Sequence, residues 1–409
     1  MSSKPLPILP GAYDSTRAST LKGTRARSES ESQQPTLPIL PGATLGILGG
    51  GQLGRMFTIA ARTMGYKVMV LDPDFASPAG QMADVHLQAD YTDHGALKQL
   101  GAACAAVTTE FENVPAASLI ELANHCRVSP GAACVAIAQD RSHEKSWLRE
   151  NGFATAPFAL VNSEADLDAA LAATVTPALL KVSRFGYDGK GQARVGTLDE
   201  ARAAFREFGG QPCVLEGFVQ LEREVSVVLA RDDAGQCALF PVAENRHENG
   251  ILDVSIVPAR VSDNLAEQAR EMARAIADKL GYVGVMAVEF FVVDGRLMIN
   301  EIAPRPHNSG HYTLDACVTD QFEQQVRALT GLPLGDPRLL SPVVMVNILG
   351  DRWHDGGPHW DALLAHPNIK LHLYGKEAAR PGRKMGHFNV LDAALPKAMV
   401  LAARMREAL

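Results

Sequence analysis

Between Val285 and Ala303, two runs of β-branched and aromatic residues, VMAVEFFVV and RLMINEIA, flank Asp294-Gly295. An Asp-Gly pair between such runs predicts a β-hairpin. Each run carries an acid among apolar neighbours, Glu289 in the first and Glu301, just after Asn300, in the second. Carboxylates rarely stay buried without a partner or a metal. Because side chains alternate with period two, the loop length decides how the two acids relate. A two-residue loop would set Glu289 opposite Asn300 and turn Glu301 to the other face. A three-residue loop over Asp294, Gly295 and Arg296 would set Glu289 opposite Glu301. The second register is the expected one, because two facing carboxylates beside an Asn amide form an oxygen-rich site suited to Mg²⁺. A polar run, Arg305, His307, Asn308, Ser309 and His311, follows directly.

Regular patterning begins at Thr44, where TLGILGGGQLGRMFTIAARTMGYKVMVLDPD reads as strand, glycine-rich turn, amphipathic helix and strand. It opens an α/β unit with a parallel sheet that closes near Pro130. Gly49, Gly51 and Gly54 satisfy G-x-G-x-x-G, with Asp72 ending the next strand. The dinucleotide fingerprint is therefore formally met, and an NAD-binding oxidoreductase is one reading. What the glycines ensure is narrower: close backbone approach and amides at a helix N-terminus, which suit any phosphate monoester. The apolar run Ala105–Thr109 ends in Glu110, at the carboxyl edge where open α/β sheets bind ligands.

A helix starting at Gln139-Asp140-Arg141 opens the next unit. Lys181 lies inside the apolar strand Ala178–Val182, where an ammonium requires a buried anion. Gly186-Tyr187-Asp188-Gly189-Lys190-Gly191-Gln192 is a glycine-rich loop able to wrap its amides around a polyphosphate. Glu216-Gly217-Phe218-Val219 leaves a strand as an apolar linker suited to an adenine edge, and Glu224, opening the strand Val225–Ala230, suits ribose hydroxyls. Glu244-Asn245-Arg246-His247 precedes a further strand, and a helix covers Leu265–Leu280. Beyond about Pro333 come a strand, Val343–Leu349, and a turn-rich stretch whose Lys376, Arg383 and Lys384 read as a phosphate clamp.

The chain has 409 residues, too many for one core. The patterning divides it into a tail (1–43), an α/β domain (44–138), a second domain (139–332) and a C-terminal domain (333–409). The tail is rich in Ser, Pro, Thr, Arg and Glu, lacks periodicity and is predicted to be disordered. It holds LPILPGA twice, at Leu6–Ala12 and Leu37–Ala43, read as a duplicated segment ahead of the domain start. A net charge of −7 argues against nucleic-acid binding. The six Cys are scattered without a CxxC pair, as expected for reduced thiols in a cytoplasmic protein. No apolar run approaches the ~18 residues of a membrane span, and the N-terminus lacks the apolar core of a signal peptide.

Taken in order, Lys181, the Gly186–Gln192 loop, Glu216–Val219, Glu224, Glu289 and Asn300-Glu301 resemble the ATP-grasp superfamily. GGGQLGRM, TTEFENVP, the DR..EK pattern at Asp140–Lys145, GYDGKGQ, NEIAPRPHNSGH and RPGRKMGHFNV narrow the resemblance, over Thr44–Leu409, to the N5-carboxyaminoimidazole ribonucleotide synthetase family. The implied fold is mixed α/β and α+β: an ATP-grasp core, an N-terminal Rossmann-like (pre-ATP-grasp) parallel sheet domain and a small β-rich C-terminal domain. The implied activity is a ligase of purine biosynthesis that carboxylates aminoimidazole ribonucleotide with bicarbonate through carboxyphosphate. It would use ATP and Mg²⁺ but no biotin, in a cytoplasmic homodimer without nucleic-acid or membrane partners. Carried over residue by residue, the nucleotide site comprises Arg141, Lys181, Gly186, Tyr187, Asp188, Gly189, Lys190, Gly191, Gln192, Glu216, Gly217, Phe218, Val219, Glu224, His247, Asn300 and Glu301. Glu289 and Glu301 correspond to the metal ligands. Gly51, Gln52, Lys376, Arg383 and Lys384 are the implied contacts of the ribonucleotide phosphate. Glu110, Tyr187, Asp188 and Lys190 would reach the aminoimidazole or carboxyphosphate, with Asp188, Lys190 and Lys384 in catalytic roles. Lys190 stands where some relatives carry Arg, so a bidentate contact is lost while the charge stays. A formate- or amino-acid-using ATP-grasp ligase, with the same nucleotide site and another acceptor, is the alternative.

Overall fold

The computed structural model describes residues 37–186, 190–353 and 357–409; the expectation for the tail up to residue 36 lies outside them. Its first sheet shows why parallel strands read as unbroken apolar runs, since both faces are covered. Strands β1 (Thr44–Leu48), β2 (Lys67–Leu71), β3 (Val85–Leu87), β4 (Ala106–Thr109) and β5 (Arg127–Val128) run parallel in the order β3-β2-β1-β4-β5. The order reverses between β1 and β4, so the segments leaving their carboxyl ends, Gly49–Gly51 and Glu110, face one crevice. The helix Gln52–Thr63 packs Met56, Phe57 and Ala61 against this sheet. Phe322, Val326 and Leu329, from the helix Gln321–Thr330, and Tyr374 complete the same core. One face of the N-terminal sheet is thus closed by residues from far along the chain.

A four-stranded antiparallel sheet follows: β6 (Phe158–Val161), β7 (Ala178–Val182), β8 (Gln192–Val195) and β9 (Cys213–Gly217), in the order β6-β9-β7-β8. Period two sorts its side chains. Ala178, Leu180 and Val182 of β7, with Cys213 and Leu215 of β9, pack under the helices Leu167–Ala173 and Leu198–Glu207. The alternate positions, Leu179, Lys181 and Glu216, are left to the opposite face.

The central sheet has nine strands: β10 (Arg223–Arg231), β11 (Cys237–Leu239), β12 (Ala243–Glu248), β13 (Ile251–Val257), β14 (Gly284–Val293), β15 (Arg296–Ala303), β16 (Val343–Leu349), β17 (Ile369–Leu373) and β18 (Lys384–Leu391). Eight of them run β15-β14-β10-β12-β13-β16-β18-β17, and β11 pairs with β10. One face packs Val225, Val227, Leu229, Val288 and Phe290 on the helix Asp263–Leu280. That helix begins where Ser262 Oγ accepts from the Leu265 amide and ends at left-handed Gly281, as capping chemistry requires. Val228, Ala230, Val285 and Ala287 face the other way, toward Tyr312 and Met345. The C-terminal strands do not form a sheet of their own; β16, β18 and β17 extend the central one, covered by the helix Leu395–Ala408. All six cysteines are free thiols. Among the described residues no helix is long and apolar enough to cross a membrane.

Candidate active site

A cavity of about 930 Å³ is lined by residues from all three sheets. The central sheet contributes a row across its width: Glu301 on β15, Glu289 on β14, Glu224 on β10, His247 on β12, Leu252 on β13 and Lys384 on β18. The four-stranded sheet adds Lys181 and Gln192, and the N-terminal sheet adds Gly51, Gln52 and Glu110. Arg141, Gly186, Lys190, Gly191, Asn300, Lys376 and Arg383 line the same space. Tyr187, Asp188 and Gly189 lie outside the described residues.

Glu289 faces Glu301 across the β14–β15 hairpin, as expected, but by another device. The loop has two residues, not three: Val293 pairs with Arg296, and Asp294 (φ 48°) and Gly295 (φ 68°) are both left-handed, as a type I′ turn demands. That turn alone would pair Glu289 with Asn300. A β-bulge instead takes Asn300 out of the count, since Phe290 pairs with Ile299 and Glu289 with Glu301. The bulge re-aims one side chain beside the site and leaves the Asn300 amide donating to Glu289 Oε2 at 3.4 Å. Burial, and next the facing Glu301 carboxylate, push Glu289 up to about 7. Arg141 Nη2 lies 3.7 Å from Glu301 Oε2, and the two facing carboxylates beside the Asn300 amide form an oxygen-rich site that fits a divalent cation. His307 Nε2, 3.5 Å from Glu289 Oε1, supplies little relief, because burial holds it well below the usual imidazole range.

Lys181 has the buried anion its strand position requires: Glu216 Oε2 accepts from its Nζ at 2.9 Å. Burial pushes Glu216 up, but Lys181, Lys145 and Arg141 outweigh it and hold the carboxyl at about 2. Glu216 is therefore a partner of the lysine and does not line the cavity. The amides of Gly217 and Phe218 donate to Pro157 O and Pro177 O at 2.8 and 3.0 Å. The linker expected to offer free amides to adenine thus has two of them engaged, because β9 continues its pairing through Gly217. Next along the row, His247 Nδ1 lies 2.5 Å from Glu224 Oε2. Burial lowers His247, yet Glu224 and the acids beyond it raise it overall.

The glycine-rich turn departs most from the sequence reading. Gly49 is left-handed, at φ 104°, and brings the turn under Glu110, whose carboxylate accepts from the Gly51 and Gly54 amides at 2.6 and 2.5 Å. A side-chain carboxyl group already occupies the position that Gly51 was expected to offer a phosphate. Burial drives Glu110 up to about 7 against the pull of those amides. Asp72 is equally committed, accepting from the Gly50 amide at 2.6 Å, the Tyr91 hydroxyl at 2.7 Å and the Asp74 amide at 2.8 Å. An NAD ribose would find no free acid there, and the dinucleotide reading is set aside.

Lys376, Arg383 and Lys384 line one end of the cavity together. Lys376 Nζ donates to Lys384 O at 2.7 Å and to Gln52 Oε1, and lies 5.5 Å above the Tyr374 ring. Sequence reasoning missed the residues that hold the site in place. Glu112 Oε2 meets Arg305 Nε at 2.5 Å, tying the segment after β4 to the polar run after β15. Buried Gln321 accepts from the His307 amide and donates to His307 O, both at 2.8 Å. Glu112, in TTEFENVP, was legible as a second strand-end acid; a helical glutamine gives no signal.

A small antiparallel sheet presenting a buried lysine to a central sheet with facing acids defines an ATP-grasp protein, and the sequence matches the ATP-grasp domain family over residues 146–322. It also matches the ribonucleotide synthetase preATP-grasp domain over 42–139 and the phosphoribosylaminoimidazole carboxylase C-terminal domain over 343–399. The N5-carboxyaminoimidazole ribonucleotide synthase of Brucella melitensis is 49% identical over 350 residues, 85% of this chain and 96% of that one; the Bacillus subtilis enzyme is 45% identical over 358 residues, 86% and 92%. Among solved structures, that of the Aspergillus clavatus synthase with ADP and 5-aminoimidazole ribonucleotide has a TM-score of 0.83 at 31% identity, covering 90% of this chain and 98% of that one. The Staphylococcus aureus synthetase with ADP has a TM-score of 0.85 at 38% identity, covering 90% and 98%. The chain belongs to the N5-carboxyaminoimidazole ribonucleotide synthase family.

Proposed function

We propose that this chain is the ATP-dependent ligase that carboxylates 5-aminoimidazole ribonucleotide with bicarbonate, releasing ADP and phosphate. The observation that carries the reading is the single cavity with facing acids and a buried lysine at one end and Lys376, Arg383 and Lys384 at the other. The nucleotide end comprises Arg141, Lys181, Gly186, Lys190, Gly191, Gln192, Glu224, His247 and Asn300. Glu289 and Glu301, with the Asn300 amide beside them, would hold Mg²⁺. When bound, Mg²⁺ would supply the charge neutralisation that phosphoryl transfer needs.

Phosphoryl transfer asks mainly for positioning and charge neutralisation, which Arg141 and Lys181 provide from the protein side. Bicarbonate takes the phosphoryl group to give carboxyphosphate. The 5-amino group then attacks its carboxyl carbon, and phosphate leaves. Carboxyphosphate is labile in water, so both steps need water kept from the reacting groups. Glu110 occupies the amides of the glycine-rich turn, so the ribonucleotide phosphate is assigned to Lys376, Arg383 and Lys384, with Gln52 positioned by Lys376. Lys190 and Lys384 border the two reacting groups. We further propose a cytoplasmic homodimer, and domain limits at 44–138, 139–332 and 333–409. Phosphate release is measured with Mg-ATP while bicarbonate and aminoimidazole ribonucleotide are omitted in turn. Turnover should require both for sustained coupling; turnover with formate or glycine but none with the ribonucleotide refutes the assignment.

A further inference from the structure

The first turns of the helix Arg141–Glu150 help build a buried cluster whose charges do not balance. Glu216 is the carboxylate at its centre. One of its oxygens lies 2.9 Å from Lys181 Nζ and 3.6 Å from Lys145 Nζ, and the other lies 4.0 Å from Arg141 Nη1. Three cations therefore share Glu216, a net charge of +2 for these four side chains, although Arg141 Nη2 also lies 3.7 Å from Glu301 Oε2. Glu144, next in sequence, does not redress this: burial pushes it up to about 8, and its carboxylate accepts from the Ile302 amide. Lys145 is wholly buried, and its Nζ makes no hydrogen bond among the described residues. A buried ammonium is expensive unless something compensates it, yet Lys145 does not line the cavity and cannot touch a nucleotide.

Its geometry explains its presence. With Lys145 on the same oxygen, Glu216 divides its charge, and Lys181, at the cavity wall, stays only partly neutralised. Without Lys145 the carboxylate would belong to Lys181 and Arg141 alone. The positive charge around Glu216 would fall by one unit, and with it the attraction for a polyphosphate at the cavity wall.

We propose that Lys145 is a positioning residue for nucleotide binding, which by sharing Glu216 keeps Lys181 available to the polyphosphate. This rests on the reading of Lys181 as a nucleotide contact. The test uses the full chain and four variants, Lys145→Met, Glu216→Gln, the double variant and Lys181→Met, with ADP affinity by calorimetry, KM for ATP, kcat and a thermal melt. Lys145→Met should weaken ADP binding by about tenfold and raise KM for ATP similarly, with kcat within about threefold. The double variant restores the net charge to +2 and should return ADP affinity to within about threefold of wild type, a rescue that a packing role would not give. Unchanged binding in Lys145→Met, or a double variant no better than it, overturns the proposal. If Lys145→Met gives no cooperative melt, Glu216→Gln decides: its cluster carries +3 and should bind ADP at least as tightly as wild type, and a tenfold loss counts against the idea. Unaltered ADP binding in Lys181→Met sinks the nucleotide-site reading itself, a separate failure.

Discussion

Glu110→Gln tests the capped glycine-rich turn directly. In the folded chain Glu110 holds its proton up to about pH 7, against an ordinary value of 4.5. The primary cause is burial, which the Gly54 and Gly51 amides offset only in part. Each pKa unit corresponds to about 1.36 kcal/mol, so this displacement is worth at most about 3 kcal/mol. Between pH 4.5 and 7 the folded state binds a proton that the unfolded state has released, so wild-type stability falls as pH rises through that window and levels off above it. Gln cannot titrate. Whatever constant cost its misplaced amide hydrogens impose, the stability difference between variant and wild type should move in the variant's favour by about 2.5 kcal/mol from pH 5 to pH 8. For a chain of this size the unfolding entropy is roughly 0.8 kcal/mol/K, so the Tm difference should shift by about 3 °C. Melts of both proteins at half-unit pH steps measure it, and every other titrating group cancels in the subtraction. Parallel Tm curves, or a difference moving the opposite way, would refute the claim that a buried carboxylate sits on those amides.

Glu301→Gln should lower kcat at least ~100-fold, the scale of one lost transition-state electrostatic contact; near-wild-type phosphate release at saturating Mg²⁺ contradicts the metal assignment. Asp72→Ala strips three donors of their acceptor, each worth about 1–3 kcal/mol when left buried. Its Tm should drop while KM for ATP stays put, and a selective loss of nucleotide binding would reopen the role set aside for Asp72. Lys376→Met should raise KM for aminoimidazole ribonucleotide by about tenfold or more and leave KM for ATP unchanged; equal effects on both substrates would misplace the basic end.

Much of the fold was written locally. The apolar β1 and β4 are each decided by a few neighbouring residues and appear where patterning puts them; the Asp-Gly turn closes with two loop residues and not the three expected, and the helix expected over Leu265–Leu280 begins two residues earlier, at Asp263. The register of Glu289 against Glu301 was anticipated for the wrong reason. A bulge depends on what both strands must bury, Ile299 and Ile302 here, and that lies beyond the hairpin's own sequence. The glycine-rich turn misled because its motif specifies backbone shape and not occupancy; Glu110 arrives from 56 residues away. Gln321 gave no signal for a related reason, and Lys145, though it closes the DR..EK pattern, gave none of its burial: a helical polar residue reads as solvated until tertiary packing buries it.

The continuity of the central sheet has a consequence for how such enzymes diversify. Six strand-to-strand steps separate β15, with Glu301, from β18, with Lys384, a path of roughly 29 Å at about 4.8 Å per step. Every step is a ladder of backbone hydrogen bonds that leaves its side chains open to replacement. The far edge can be rewritten for another acceptor, residue by residue, while the acids at the near edge keep their place. A shared backbone can thus preserve one half-reaction as the other is exchanged.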